Sequence, residues 1–176
     1  MTPQAQTGVR VALAEEGSAN VATGVPVLDH LVTELARAAR LRVALEVAPE
    51  GADEAVAAAG RALGAALSDP LGAPGAAGRG WSMVPAAEAL AAAALERVDQ
   101  PLLRSNVDFS DERVGGLGTD VAARFLQELV DASRLNLHIR LLEGTDPQHV
   151  LAAIFKAVGA ALGQACRPAA DGGGRA

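Results

Sequence analysis

Aromatic side chains are scarce in this 176-residue chain, which has one Trp (Trp81), three Phe (Phe109, Phe125, Phe155) and no Tyr. The core must therefore be assembled from Ala, Val and Leu, and small side chains bury little area each at roughly 25 cal/mol per Å². A monomer built this way gains modest stability, so self-association is expected. Lysine is nearly missing too: the 15 cationic residues comprise 14 Arg and the single Lys156. The formal net charge of -6 argues against nucleic acid as a partner, because a phosphate backbone demands clustered cations. One cysteine, Cys166, excludes an internal disulfide and fits a reducing cytosol. No apolar run approaches the roughly 18 to 20 residues of a membrane-spanning helix, and no basic-then-apolar leader opens the chain. The expectation is a cytoplasmic protein with no membrane partner.

What the chain does contain is an internal repeat. Glu34-Leu35-Ala36-Arg37-Ala38-Ala39-Arg40-Leu41-Arg42-Val43 matches Glu128-Leu129-Val130-Asp131-Ala132-Ser133-Arg134-Leu135-Asn136-Leu137, 94 positions later, and Gly64-Ala65-Ala66-Leu67 matches Gly159-Ala160-Ala161-Leu162 at an offset of 95. A period this long that occurs twice points to a duplicated half-domain. Half-domains of residues 1–80 and 81–166 are expected, followed by a disordered tail, 167–176.

Hydrophobic spacing places strands near Val9 to Leu13 and Asn20 to Ala22, a helix near Val27 to Ala39, a strand from Leu41 to Val47 and an Ala-rich helix from Asp53 to Leu67. Residues 68–80, rich in Gly, Pro and Ala, read as a loop. In the second half a strand is expected over Leu102 to Phe109, a helix over Thr119 to Ala132, a strand over Leu135 to Leu142 and a helix over Pro147 to Ala165. Thr119 or Asp120 would cap the first of these helices, and Pro147 suits a first helical turn. Ala86 to Arg97 is ambiguous; its alanines favour helix. The fold class expected is α+β, in two duplicated halves, each a small mixed sheet backed by two helices on one face.

All three histidines lie in segments of a recognisable kind: Leu28-Asp29-His30, Leu137-His138-Ile139-Arg140 and Gln148-His149-Val150-Leu151-Ala152. With Arg113-Val114-Gly115-Gly116-Leu117-Gly118-Thr119, Pro85-Ala86-Ala87-Glu88-Ala89-Leu90 and Phe155-Lys156, their order and spacing resemble imidazoleglycerol-phosphate dehydratase over most of the chain. The resemblance implies dehydration of imidazole glycerol phosphate to imidazole acetol phosphate in histidine biosynthesis, a hydro-lyase reaction at a pair of Mn²⁺ ions. It also implies symmetric shells built from trimers, with sites at subunit contacts. In that family the ligands come from two His-His-x-x-Glu stretches plus the Leu-Asp-His and Leu-His-Ile histidines. Residues three apart share a helix face, so a His and the Glu after it can grip one ion.

Laid on this chain, the pattern is damaged. His30 and His138 stand, but the first double His has become Asp53-Glu54 with Ala57 at the Glu position, and the second Gln148-His149 with Ala152. Three of eight ligand positions survive, His30, His138 and His149, with Asp53 and Glu54 as remodelled candidates. Lys156, Arg79 and Arg140 are the weaker candidates for holding a phosphorylated small molecule. Gly78 falls at a phosphate-binding Arg position and Gln100 at another, while the C-terminal Ser-Thr-Lys segment is absent.

Plainer readings stand beside these. His149 could be a surface or capping histidine, and His138 a hydrogen-bonded core residue. Asp53 and Glu54 could be an acidic helix start, or an oxygen-rich site for Mg²⁺ or Ca²⁺. The expectation is a divergent, catalytically impaired homologue that holds a divalent metal weakly or not at all. It would work as a homo-oligomer or with an intact paralogue. The alternative is an active hydro-lyase with a remodelled site or with sites shared between subunits.

Overall fold

The computed structural model describes residues 6–48, 51–107, 113–114, 117–118 and 120–169. In the first half, strands β1 (Gly8–Leu13), β2 (Ser18–Ala22) and β3 (Leu41–Glu46) form a sheet ordered β1-β3-β2, with helices α1 (Pro26–Ala39) and α2 (Ala52–Gly72) between and after them. Strand β3 runs antiparallel to β1 and parallel to β2. The second half contains β4 (Arg79–Ala86), β5 (Ala89–Arg97), β6 (Leu102–Ser105), α3 (Asp120–Ser133), β9 (Leu135–Glu143) and α4 (Pro147–Ala165). Between β6 and α3, the two-residue strands β7 (Arg113–Val114) and β8 (Leu117–Gly118) pair antiparallel. Its main sheet is ordered β4-β5-β9-β6, with β9 antiparallel to β5 and parallel to β6.

The duplication is visible in this wiring. Strands β5, β9 and β6 repeat the order and directions of β1, β3 and β2, while β4 is an addition at the sheet edge. Both crossover helices end on a non-glycine residue in the left-handed region, Arg40 at φ 52° and Arg134 at φ 57°, each immediately before its strand. These two arginines are 94 residues apart, the offset of the sequence repeat.

Each sheet carries its two helices on one face, and the helix layers meet in the middle. Helix α1 packs on α4 and α2 on α3. The contact is close because glycines face backbone there. A Cβ on Gly64 would meet the Leu129 carbonyl oxygen at 2.6 Å and the Ala132 Cβ at 2.8 Å, and the repeat mate Gly159 faces the Leu35 carbonyl in the same way. Since 35 and 129 are also repeat mates, the two contacts are related by a pseudo-twofold axis. Between the layers the Phe125 and Phe155 rings stack with centroids 5.8 Å apart, and both are fully buried among Leu, Val and Ala.

Local chemistry starts the helices. Pro26 opens α1, and the Asp29 carboxylate reaches back to accept from the Thr23 backbone N–H at 3.0 Å and from the Thr23 hydroxyl. At α4, Asp146 caps the backbone N–H groups of Gln148 (2.9 Å) and His149 (3.4 Å), with Pro147 in the first turn.

Three expectations are corrected. Residues 86–97 include strand β5, not helix: Ala89, Ala91, Ala93 and Leu95 are buried while Ala94 and Glu96 are exposed, and this period of two overrides alanine's helix propensity. Helix α2 runs on to Gly72 through Pro70: the proline forfeits one i→i−4 hydrogen bond, and Leu71 beyond it is buried in the core. The tail expected to be loose from residue 167 begins with a pinned residue. The Arg167 guanidinium donates to the carbonyls of Ala39 (2.9 Å), Gly163 (2.9 Å), Ala14 (3.0 Å) and Arg40 (2.7 Å). Residues 170–176 lie outside the described residues, as do Phe109, at the end of the expected strand, and the candidate cap Thr119. Strand β4 straddles the expected boundary at residue 80.

Gly64→Ala should destabilise the protein by about 1–3 kcal/mol through overpacking against the Leu129 carbonyl. Gly8→Ala, which has nothing within 4 Å of the new methyl, should stay within about 0.5 kcal/mol. Urea denaturation midpoints of the two variants check the contrast.

Candidate functional site

The candidate residues are distributed over helices α1, α2 and α4 and the four-stranded sheet. His30 lies on the exposed face of α1, opposite the buried Leu28, Leu31, Val32 and Leu35. Asp53 and Glu54 are exposed in the first turn of α2, where carboxylates favour the positive end of the helix dipole. Glu54 accepts from Arg61 at 2.6 Å, and Arg61 reaches Glu128 of α3 at 3.6 Å, which ties α2 to α3. On the same helix Ala57 is fully buried.

His138 and Arg140 project from the outer face of the four-stranded sheet, away from the helices. His138 is therefore exposed and is not the core histidine that its apolar strand suggested. Arg79 begins β4 on the same outer face, and Arg104 stands opposite His138 on β6.

His149 sits at the start of α4, where Glu88 of the β4–β5 turn binds it. The His149 Nδ1 and Glu88 Oε2 are 2.5 Å apart, and the other Glu88 oxygen accepts from the Asp146 backbone N–H at 3.0 Å. Ala87, at φ 51°, completes the turn that presents Glu88. The backbone N–H of Asp146, with Glu88's own amide and then His149, lowers the Glu88 pKa to about 2.

Lys156 pairs with Glu34 of α1 at 3.5 Å, so it links two helices and does not share a pocket with Arg79 or Arg140. Among the described residues no three of His, Cys, Asp and Glu converge in a way that could hold a metal ion. The imidazoles of His30, His138 and His149 lie on α1, β9 and α4, and Glu54 is engaged by Arg61. Cys166 is buried, and burial pushes its thiol up to about 11, which leaves it unreactive.

The structure also brings together residues that reading for histidines missed. A cavity of about 640 Å³ opens on the outer face of the four-stranded sheet beside the C-terminal segment, and Trp81, Asn136, Arg40 and Glu96 line it with His138 and Arg79. In the sequence Trp81 stands out only as the lone tryptophan; in β4 it shares the exposed face with Arg79 and Met83.

The chain matches the family model described as imidazoleglycerol-phosphate dehydratase over residues 23–162. It is 36% identical over 171 residues to the imidazoleglycerol-phosphate dehydratase of Desulforudis audaxviator, covering 92% of this chain and 86% of the relative. It is 34% identical over 178 residues to that of Heliobacterium modesticaldum, covering 99% and 91%. The fold is similar to the crystal structure of imidazoleglycerol-phosphate dehydratase from Staphylococcus aureus, with a TM-score of 0.84, 27% identity and coverage of 93% and 94%.

Because the folded-state pKa of Glu88 lies below its ordinary value of 4.5, its contribution to stability is present above that value. It is lost as pH falls through about 2. The stability difference between wild type and Glu88→Gln should therefore shrink steadily from pH 5 to pH 2, as read by thermal melts at each pH.

Proposed function

Because the chain belongs to the imidazoleglycerol-phosphate dehydratase family, a family of histidine-biosynthesis enzymes, we propose that it is a divergent member with dehydratase activity largely or wholly lost. One observation carries this reading. Each of the two helices that begin with the motif positions has lost its Glu, at Ala57 and Ala152, and His149 is the only histidine left of the two double-His pairs. Taking a ligand away lowers metal affinity steeply, and even the loss of supporting partners costs about 10 to 100-fold. The Ala57 position is fully buried, so a carboxylate there has been exchanged for packing. Such a protein would persist as an assembly, regulatory or ligand-binding subunit.

Copies of this chain, or an intact relative, are the proposed partners. Leu13, Leu102 and Leu142 are exposed, and no described residue covers them, so they offer apolar surface to a partner. Among the described residues, no helix is long and apolar enough to cross a membrane.

A second reading, an active hydro-lyase with sites shared between subunits, is favoured by the exposure of His30 and His138. Among the described residues neither ring makes a hydrogen bond, so both are accessible to ligands supplied by another copy.

Protein purified in Mn²⁺ and then dialysed should retain well under one ion per chain by elemental analysis, with consumption of imidazole glycerol phosphate at background. The variant that restores His at Gln148 and Glu at Ala152 should bind Mn²⁺ at least about tenfold more tightly. Stoichiometric metal and rapid turnover in the wild type would end the impaired reading in favour of the second.

A further inference from the structure

We infer that the cavity on the outer face of the four-stranded sheet binds a small planar aromatic carboxylate, held between the indole of Trp81 and the imidazole of His138. The inference deepens the reading of this chain as a ligand-binding member of its family, but it requires neither metal nor turnover.

Two cross-strand rows build the slot. In one, Trp81 of β4 stands opposite Ala94 of β5, which stands opposite His138 of β9. Neighbouring strands are about 4.8 Å apart, so the strands bearing the two rings are separated by about 10 Å. The side chain between them is a methyl group, so the space above Ala94 is open. Aromatic rings stack with centroids about 4.5–7 Å apart; a ring seated over Ala94 would meet indole on one side and imidazole on the other at about 5 Å. Trp81 is 70% exposed, an unusual state for the largest apolar side chain in a protein with three other aromatic residues.

The adjacent row supplies polarity. Arg79 stands opposite Glu96, which stands opposite Asn136. Among the described residues the buried Asn136 Oδ1 has no hydrogen-bond partner, so it calls for a donor on the ligand, a hydroxyl or ring N–H. Arg40 also lines the cavity. The Arg167 guanidinium commits four donors to neutral carbonyls but keeps its charge, so Arg40, Arg79 and Arg167 outweigh Glu96 around the cavity. That excess suits an anion, and a guanidinium fork matches a carboxylate in two parallel hydrogen bonds. The backbone of Trp81 is itself held, since Gln164 accepts from its N–H at 3.1 Å and donates to its carbonyl at 2.7 Å, so the indole is carried on a fixed strand.

The lone tryptophan, with no tyrosine beside it, gives a direct readout. Full-length protein treated with EDTA is titrated with 4-hydroxybenzoate, benzoate and cyclohexanecarboxylate while Trp81 emission is followed. Saturable quenching by 4-hydroxybenzoate is expected, with cyclohexanecarboxylate at least about tenfold weaker. Arg79→Gln should weaken both aromatic acids about tenfold. Asn136→Leu should weaken 4-hydroxybenzoate about fivefold while leaving benzoate unchanged, a split that general damage to the fold would not produce. For Trp81→Ala, calorimetry replaces fluorescence and should register loss of binding. Equal binding of the aromatic and alicyclic acids would overturn the proposal. So would emission that is already blue-shifted and indifferent to all three acids, as when a second copy covers this face. Because the titration is metal-free, its failure leaves the impaired-enzyme reading standing, and rapid turnover would sink that reading without touching this one.

Discussion

The architecture depends on the approach of helix backbones across the middle of the molecule. Gly64 against the Leu129 carbonyl and Gly159 against the Leu35 carbonyl let α2 meet α3 and α1 meet α4 without a side chain between them. A layer of four closely packed helices offers Ala, Leu and Val enough contact to form a core despite the lack of aromatic rings, because dispersion grows with the number of close atom pairs. It also dictates where chemistry can sit. With the helices inside, both sheets turn one face to solvent, and strand-borne groups such as His138, Arg140 and Trp81 lie on that outer surface.

Much of this was legible beforehand, and the reasons are local. The matched decapeptides at 34–43 and 128–137 contain the arginine that stops each crossover helix in a left-handed residue, so the repeat marked a structural joint as well as ancestry. Helix α4 was legible to both of its ends from Pro147 and the apolar spacing that follows. Strand β5 was not, because alanine speaks for helix in isolation and only neighbouring β4 and β9 settle the matter. The hold of Arg167 on four carbonyls was also invisible, since its partners lie 4 to 153 residues away.

The site was legible in part for a different reason. Histidines are rare enough here that three in motif-like segments stood out, and the structure places them on α1, β9 and α4. What the sequence concealed was their engagement. Glu88 comes to His149 from 61 residues away across a turn, and Lys156 is claimed by Glu34. The Trp81 slot was hidden because it depends on register: only the pairing of Trp81, Ala94 and His138 in one row creates a gap of ring width.

The proposed loss of activity depends on whether dispersed imidazoles, with no carboxylate clustered beside them among the described residues, can organise divalent ions. Titrating the protein into dilute Mn²⁺ and following the electron paramagnetic resonance of the aqueous ion tests this most directly. The account predicts that the aqueous signal persists at equimolar protein, with at most weak, unsaturated loss. Stoichiometric disappearance of that signal, with the broadened spectrum of a spin-coupled pair, would contradict it.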